Sequence, residues 1–151
     1  MESLFEKGIK KFRDNIGDLY SVVEKVFFDE ARKQEEILAD LNREQLFDGK
    51  REDGSDIKPS YKPSTVKIKK IKGQKVSNVT LKDTGKFHRS IKVDVVGKDM
   101  EYSASDSKFP KLQDKYKGKS TLLGLTKPNR VEFVSLIAPY VGEEVWRKLV
   151  R

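Results

Sequence analysis

Apolar residues recur at helical spacing through the first third of the chain. One stripe ends near residue 16, and a second follows the i, i+3, i+4, i+7 spacing of an amphipathic helix from residue 19. Gly17 weakens a helix and Asp18 is a suitable N-cap for the next one, so we place the break there. The pattern predicts one short and one long helix over residues 1–46. The apolar positions are Leu4, Phe5, Ile9, Phe12, Ile16, Leu19, Val22, Val23, Val26, Phe27, Ile37, Leu38, Leu41 and Leu46.

Residues 47–75 lose this periodicity and are predicted to form a turn-rich basic arm. Two Asp-Gly dipeptides mark turns, and two prolines bar regular helix around them. Ser64 could cap a helical turn over residues 65–70, but the β-branched content there opposes a helix. We therefore expect an extended or mobile segment. From residue 58 to residue 75 it has no acidic residue and seven lysines, which are Lys58, Lys62, Lys67, Lys69, Lys70, Lys72 and Lys75.

Residues 76–105 change to the period of a β-strand. Apolar and polar residues alternate from Ile91 to Val95, which is the pattern of a strand buried on one face. Gly97 begins a turn, and the alternation resumes from Met100 to Ala104 as the return strand of a hairpin. Residues 105–120 are polar and rich in lysine, which predicts a loop.

A last helix is predicted over residues 126–150. Thr126 is a suitable N-cap, and Pro128 fits the first turn. Pro139 and Gly142 are expected to bend or restart this helix. The predicted order of N-terminal helices, long basic loop, small antiparallel β-sheet and C-terminal helix belongs to the α+β class.

The length and composition favour a single domain that gains from assembly. Its 151 residues have the size of one domain, which we assign to residues 1–151. Hydrophobic residues make up 36% of the chain and charged residues 37%, so few apolar residues are available to form a core. Such a domain would be more stable with part of its surface buried against other subunits.

The charge is distributed unevenly around a net value of +8. Residues 1–56 hold 10 Lys/Arg and 15 Asp/Glu, a net of −5, whereas residues 57–151 hold 22 and 9, a net of +13. This asymmetry indicates contact with DNA, or pairing of the acidic part of one subunit with the basic part of the next. Head-to-tail contacts of the second kind close into rings.

The sequence lacks the residues that several classes of function require. The chain has no cysteine, so it has no disulfide and no thiolate metal site, which fits a reducing compartment. No window approaches the run of about 20 apolar residues that a membrane span needs. The first residues lack the hydrophobic region of a secretory signal. Glycine-rich phosphate loops and Ser/His/Asp sets are absent. We expect a soluble protein made in the cytoplasm, with no cofactor and no enzymatic activity.

Asp83-Thr84-Gly85 is the tripeptide that carries the catalytic aspartate in aspartic proteases. Those enzymes bring together two carboxylates that share one proton. A lysine on each side of the tripeptide would instead hold the carboxylate ionised. We therefore interpret it as a structural turn, with Gly85 at positive φ and Asp83 accepting from backbone amides two residues on. A small hydrolase built on Asp83 is the alternative. His88, the only histidine, is expected at the surface or half packed.

The seven lysines of the arm are the candidate partner-binding residues. Clustered cations neutralise phosphates without reading sequence, and the affinity falls steeply as salt rises. Only Tyr61 could stack on a base, so sequence-specific binding is not expected. Two interpretations stay open: an arm that faces solvent or a protein partner, and an arm that faces DNA in a basic DNA-binding accessory protein.

Three segments, in order, carry a resemblance to a known family. The first comprises Gly49, Asp53, Gly54, Pro59, Ser64, Thr65 and Lys67. The second comprises Leu81, Asp83, Thr84, Gly85, Phe87, Ser90 and Ile91. The third comprises Leu122, Leu123, Gly124, Leu125 and Thr126. Over roughly residues 40–140 the chain thus resembles the phage virion morphogenesis, or tail completion, family. It lacks the tryptophan that commonly follows the Asp-Gly turn in that family.

The resemblance implies a non-enzymatic virion component of the neck or tail-completion type. Such a protein finishes the tail or joins it to the capsid, and it acts as an oligomeric ring. The expected partners are further copies of the chain and the portal, connector or tail tube, with non-specific DNA contact possible and no membrane. The expected location is the neck or tail region of the virion.

Overall fold

The computed structural model describes residues 3–151 and confirms the α+β class, with 58% of the chain in helices and 9% in strands. The helices are α1 (Leu4–Gly17), α2 (Leu19–Lys33), α3 (Glu35–Phe47), α4 (Pro63–Ile71), α5 (Lys86–Ser90), α6 (Phe109–Lys115) and α7 (Lys127–Val150). The strands are β1 (Ile91–Val96) and β2 (Asp99–Ala104). They pair as an antiparallel hairpin, with Ile91 opposite Ala104 and Val96 opposite Asp99.

The chain divides into two compact units. The helical unit contains the described residues up to Gln34 together with Val134–Arg151, and the α+β unit contains Glu35–Phe133. The prediction of a single domain over residues 1–151 stays a prediction.

The helical unit begins with a capping box. Ser3 Oγ accepts from the backbone N–H of Glu6, and the Glu6 carboxylate accepts from the N–H of Ser3. The predicted break after Gly17 is confirmed, although the Asp18 side chain makes no capping hydrogen bond. A second break, at Gln34, corrects the prediction of one long helix after residue 18.

The core of the helical unit is small. Asn15 joins α1 to the end of α7 by donating from Nδ2 to the Leu149 carbonyl at 3.2 Å. Helix α1 itself buries none of its residues. The buried apolar residues of the unit are Val26, Ala31, Ile137, Val141 and Val145.

The α+β unit has a larger apolar core. Strand β1 alternates buried and exposed positions along its whole length, as the sequence pattern predicted. Helix α3 packs on β1, and α5 and the segments on either side of the hairpin complete the core. One cluster of buried core residues comprises Leu46, Ile57, Val79, Leu81, Phe87, Ile91, Tyr116, Leu122 and Leu123.

Buried polar side chains of α3 hold the start of α7. Asn42 Nδ2 and Gln45 Nε2 each donate to the Gly124 carbonyl at 2.9 Å. Gln45 Oε1 accepts from the Thr126 N–H at 2.7 Å. Thr126 Oγ1 in turn accepts from the N–H of Asn129, which confirms it as the N-cap. These contacts orient the 122–126 segment and the first turn of α7.

Replacing Gln45 by alanine is expected to destabilise the fold by about 2–3 kcal/mol, because buried groups around Gly124 and Thr126 lose hydrogen-bond partners. Gln45 is 4% exposed, so water cannot readily replace it. Urea denaturation followed by circular dichroism measures the loss. The matched control is Gln113→Ala, which truncates an exposed glutamine and should change the free energy of unfolding by less than about 0.5 kcal/mol.

Two segments that were predicted to contain no helix each contain one. In the basic arm Pro63 occupies the first helical turn of α4, where its missing N–H costs nothing, so the proline starts a helix that we expected it to bar. In the predicted 105–120 loop, Phe109 stacks on Phe87 with ring centroids 5.6 Å apart. That packing supports α6, which local polarity did not indicate. Helix α7 also continues through Pro139 without the expected restart.

Candidate partner-binding site

Part of the lysine arm packs against the 83–85 turn. Lys69 is 7% exposed, and its Nζ donates to the Lys82 carbonyl at 2.7 Å and to Gln74 Oε1 at 3.0 Å. The same ammonium lies 5.1 Å from the centre of the Tyr61 ring. Lys69 is therefore a structural residue of α4, and it is not available to a partner.

Two further lysines of the predicted set form ion pairs within the unit. Lys72 Nζ lies 2.8 Å from Asp83 Oδ1, and Lys75 Nζ lies 3.2 Å from Asp48 Oδ1. Hydrogen bonds from Lys72, and then from Gln74, lower the pKa of Asp83 below its ordinary value. The Asp83 carboxylate is thus held ionised, as the flanking lysines indicated, although the two that flank it in sequence are not its partners.

The other four lysines lie on the surface of the arm. Lys58 Nζ is 3.3 Å from Ser60 Oγ, and Lys62, Lys67 and Lys70 are exposed with no ion-pair partner among residues 3–151. The structure thus divides the seven predicted partner-binding residues into three that stabilise the fold and four that face solvent.

The 83–85 turn has the predicted conformation at its glycine. Gly85 has φ +81°, and a Cβ there would lie 2.8 Å from Arg89 Nη1. The backbone contact differs from the prediction, because Thr84 Oγ1 accepts from the Lys86 N–H while Asp83 faces the lysine arm. The turn therefore connects the arm to α5.

His88 is buried, at 7% exposure, which corrects the expectation of a surface or half-packed ring. Its Nε2 lies 2.8 Å from the Thr80 carbonyl. Burial lowers the pKa of His88, and the nearby cations Lys82 and Arg43 lower it further, while the hydrogen bond to Thr80 opposes them. The ring is therefore a neutral donor that joins α5 to the 79–81 segment.

Acidification is expected to destabilise the fold through His88. Because the folded-state pKa lies below the ordinary value of 6.5, the unfolded chain binds the proton first. The contribution is fully present above about pH 7 and is lost as the pH falls through about 6.5 towards the lowered pKa. Urea denaturation between about pH 7 and about pH 5 measures this slope. His88→Gln should flatten it, and an unchanged slope would contradict the assignment.

A pocket of about 210 Å³ opens beside the turn. Leu81, Phe87, Leu112 and Tyr116 supply apolar walls, and the buried residue Asp106 also lines the pocket. Sequence analysis missed Asp106, because a single acid in a polar segment carries no pattern. Leu81 and Phe87 were recognised in the sequence as motif residues, but the sequence did not indicate that they line a pocket.

The helical unit presents an apolar surface. Phe5, Ile9, Phe12 and Ile16 lie on one face of α1 and are 75%, 52%, 44% and 43% exposed. Further exposed large apolar residues of the unit are Leu4, Leu19, Tyr20, Val23, Val134, Leu136, Tyr140, Trp146 and Val150. The amphipathic pattern read from the sequence is therefore present in α1, but its apolar face has no cover within the unit.

Neither a metal site nor a membrane span is found in residues 3–151. No three His, Asp or Glu side chains in this range lie together as metal ligands do. Within the same range no helix combines the length and the apolar character that crossing a bilayer requires. Comparison of the chain with protein-family models, with curated proteins and with solved structures found no match.

Proposed function

We propose that this chain is a bacteriophage virion structural protein of the neck or tail-completion type. It assembles into an oligomeric ring that joins or finishes the head-tail connection, with portal, connector or tail tube as neighbours. It acts through its surfaces, and no bond is made or broken. The three ordered motif segments over residues 40–140 support the family part of this proposal.

The uncovered apolar surface of the helical unit is the observation that carries the proposal. Among the described residues of that unit, 13 large apolar side chains are exposed and 5 apolar residues are buried. Contiguous apolar patches beyond a few hundred Å² mark interaction sites on soluble proteins. The exposed apolar residues of the α1 stripe lie on one face of the helix by their spacing. A protein that completes its core only in an assembly fits a structural role in a particle.

The charge distribution supports contacts between unlike surfaces of successive copies. The net charges of −5 over residues 1–56 and +13 over residues 57–151 attract one another between subunits. A contact between two different surfaces is heterologous, and it forms a ring when the rotation closes. Arms such as the exposed part of α4 would then reach neighbouring proteins.

Mass spectrometry of purified particles from the phage or prophage that encodes the chain tests the proposal. The chain should be present at a constant ratio to the portal protein, in a copy number that fits a ring. A nonsense codon early in its gene should leave separate heads and tails, and a plasmid copy should restore joined particles. Particles that lack the chain and stay infectious without it would rule the proposal out.

A DNA-binding accessory protein is the second candidate, favoured by the exposed lysines of the arm. Lys62, Lys67 and Lys70 have no ion-pair partner among the described residues. If they contact phosphates, replacing all three by glutamine should reduce the slope of log K against log salt by up to about 2.7. Titration of duplex DNA at two salt concentrations measures this slope. An absence of binding at low salt would exclude the DNA-binding function.

A further inference from the structure

Each strand of the β-hairpin has an outer edge that faces away from the other strand. Beyond the strand ends, the Ser105 N–H donates to the Ser90 carbonyl, which marks these two residues as a hydrogen-bonded pair. Hydrogen-bonded and non-hydrogen-bonded pairs alternate along an antiparallel ladder. Every second residue counted from that pair therefore directs its N–H and C=O outward. On β2 these residues are Met100, Tyr102 and Ala104.

Side chains of α3 cover the outer edge of β1. Glu35 Oε1 accepts from the Val95 N–H at 2.8 Å, and Arg43 Nη2 donates to the Ile91 carbonyl at 2.7 Å. Helix α3 also packs along this strand. The outer edge of β1 is therefore closed to a further strand.

The outer edge of β2 has no such cover among residues 3–151. No hydrogen bond within this range uses the outward N–H and C=O groups of Met100, Tyr102 and Ala104, which we call the open edge. Pairing with β1 is continuous along the strand, so no bulge interrupts it. The strand also contains neither proline nor lysine, residues that block many exposed edges. The open edge is thus a template for strand pairing.

A second pocket, of about 420 Å³, adjoins the open edge. The large apolar residues in its lining are Met100, Tyr102, Phe109, Leu123 and Leu125. Glu52 and Arg130 in the same lining have opposite charges, so the pocket favours neither sign. A residue paired directly with Tyr102 would lie on the same face of the sheet, with about 5 Å between the Cβ atoms. An added strand would therefore direct alternate side chains towards this pocket, which suits apolar ones.

The opposite face of β2 is negatively charged. Asp99 and Glu101 are exposed, and neither has an ion-pair partner within the described part of the chain. Glu101 lies directly across from Asp94 of β1, which is also exposed, and like charges in this position repel. Strand β2 contains no Lys or Arg to offset them. A cation beside Glu101 on an added strand would relieve this repulsion.

We propose that the open edge binds an extended segment of a neighbouring protein as a third, antiparallel strand. The segment alternates lysine or arginine with branched aliphatic residues. Its cations lie beside Asp99 and Glu101, and its aliphatic side chains enter the pocket beside Met100 and Tyr102. Main-chain hydrogen bonds supply affinity and alternate side chains supply specificity, as strand addition generally works. The contact lies within the α+β unit and requires no ring, so it goes beyond the proposed function.

A second copy of the chain fits the open edge less well. Antiparallel pairing of two β2 strands about Tyr102 would place the two Glu101 side chains diagonally across from each other, with no cation on either strand. The basic arm is also unsuited, because Lys67 and Lys70 belong to helix α4 and prolines without an N–H interrupt residues 58–63. Charge complementarity therefore favours a different protein.

A short acetylated and amidated peptide that alternates lysine and valine tests the charge preference on the full chain. Isothermal titration calorimetry should show it binding at least about tenfold more tightly than a glutamate–valine peptide of the same length. Asp99→Lys with Glu101→Lys should reverse this preference. The matched control, Glu44→Lys with Glu132→Lys, changes two exposed acids outside the hairpin and should leave the preference unaltered.

Two N-methylated peptides test the strand pairing. Methylation of the valine amides removes the donors that face the open edge, and it should weaken binding at least about tenfold. Methylation of the lysine amides alters only groups that face away from β2, so affinity should stay within about threefold of the parent peptide. Hydrogen exchange measured by NMR should slow at the amides of Met100, Tyr102 and Ala104 when the parent peptide is bound.

The results that would overturn the inference are distinct. The lysine–valine peptide could fail to bind at about 1 mM, or the two methylated peptides could bind equally. Protection of the open edge that rises with protein concentration, without peptide, would show a second copy in place of the proposed partner. Selective binding that is lost on methylation of the valines, with slower exchange at the open edge, establishes the contact. The virion role is tested separately by the particle analysis.

Discussion

The double variant Ile9→Gln, Phe12→Gln is expected to weaken self-association about tenfold to a hundredfold. Both side chains lie on the uncovered stripe of α1, at 52% and 44% exposure. Burying a fully exposed large apolar side chain contributes about 1.5–3 kcal/mol, and these two are already about half covered, so together they account for about 1.5–3 kcal/mol, a factor of about ten to a hundred. Glutamine is a good helix former and keeps α1 intact. Sedimentation equilibrium of the purified protein measures the change.

The matched control keeps the helix and the number of substitutions. Lys7→Gln with Lys10→Gln alters two exposed positions of α1 away from the stripe, and it should leave the association constant within about threefold. The thermal midpoint of the stripe variant, measured where the protein is monomeric, should be close to that of the unchanged chain. If both double variants assemble equally, the α1 stripe is not a subunit contact.

Arg51→Ala is expected to cost about 3–4 kcal/mol of folding free energy, the largest effect of a single substitution in the α+β unit. Arg51 is 3% exposed, and its guanidinium donates to the carbonyls of Tyr116 and Ser120. Removing it leaves two carbonyls without their donor and empties a buried volume. Urea denaturation measures the loss, and the exposed neighbour Lys50→Ala is the control.

A double-mutant cycle with Gly118 tests the physical reason. A Cβ on Gly118 would lie 2.6 Å from Arg51 Cζ, so Gly118→Ala alone should destabilise the fold by displacing the guanidinium. The three atoms nearest to that Cβ all belong to the Arg51 side chain, so once Arg51 is alanine the same change should cost little. The coupling free energy is therefore expected to exceed about 1 kcal/mol. Simple additivity would show that Gly118 does not pack against Arg51.

The lysine arm shows how far a charge pattern defines a binding site. Seven lysines without an acid in their own segment predicted a basic surface. Three of them instead contact groups elsewhere in the chain, with Lys72 on Asp83 and Lys75 on Asp48 as ion pairs. Their partners lie 11 and 27 residues away in sequence. Net charge over a window counts neither such partners nor burial, so it overestimated the free cationic surface.

The pocket shows a second limit of sequence analysis. Leu81 and Phe87 were recognised because they match positions of the family motif, whereas no pattern in the sequence around Asp106 marked that residue. Asp106 is buried where Phe109 of the following helix α6 stacks on Phe87 and packs against the core cluster. A single carboxylate loses its hydration only when tertiary contacts bury it. These contacts join residues that are far apart in the chain.

The sequence by itself determined the features that depend on neighbouring residues. The alternation from Ile91 to Val95, the positive φ of Gly85 and the N-cap at Thr126 follow from side-chain period and backbone sterics, which act over a few residues. Only the tertiary structure decided which lysines are neutralised, that His88 is buried and that the α1 stripe has no cover. Burial and pairing are properties of the whole packing, in which long-range contacts outweigh local preference.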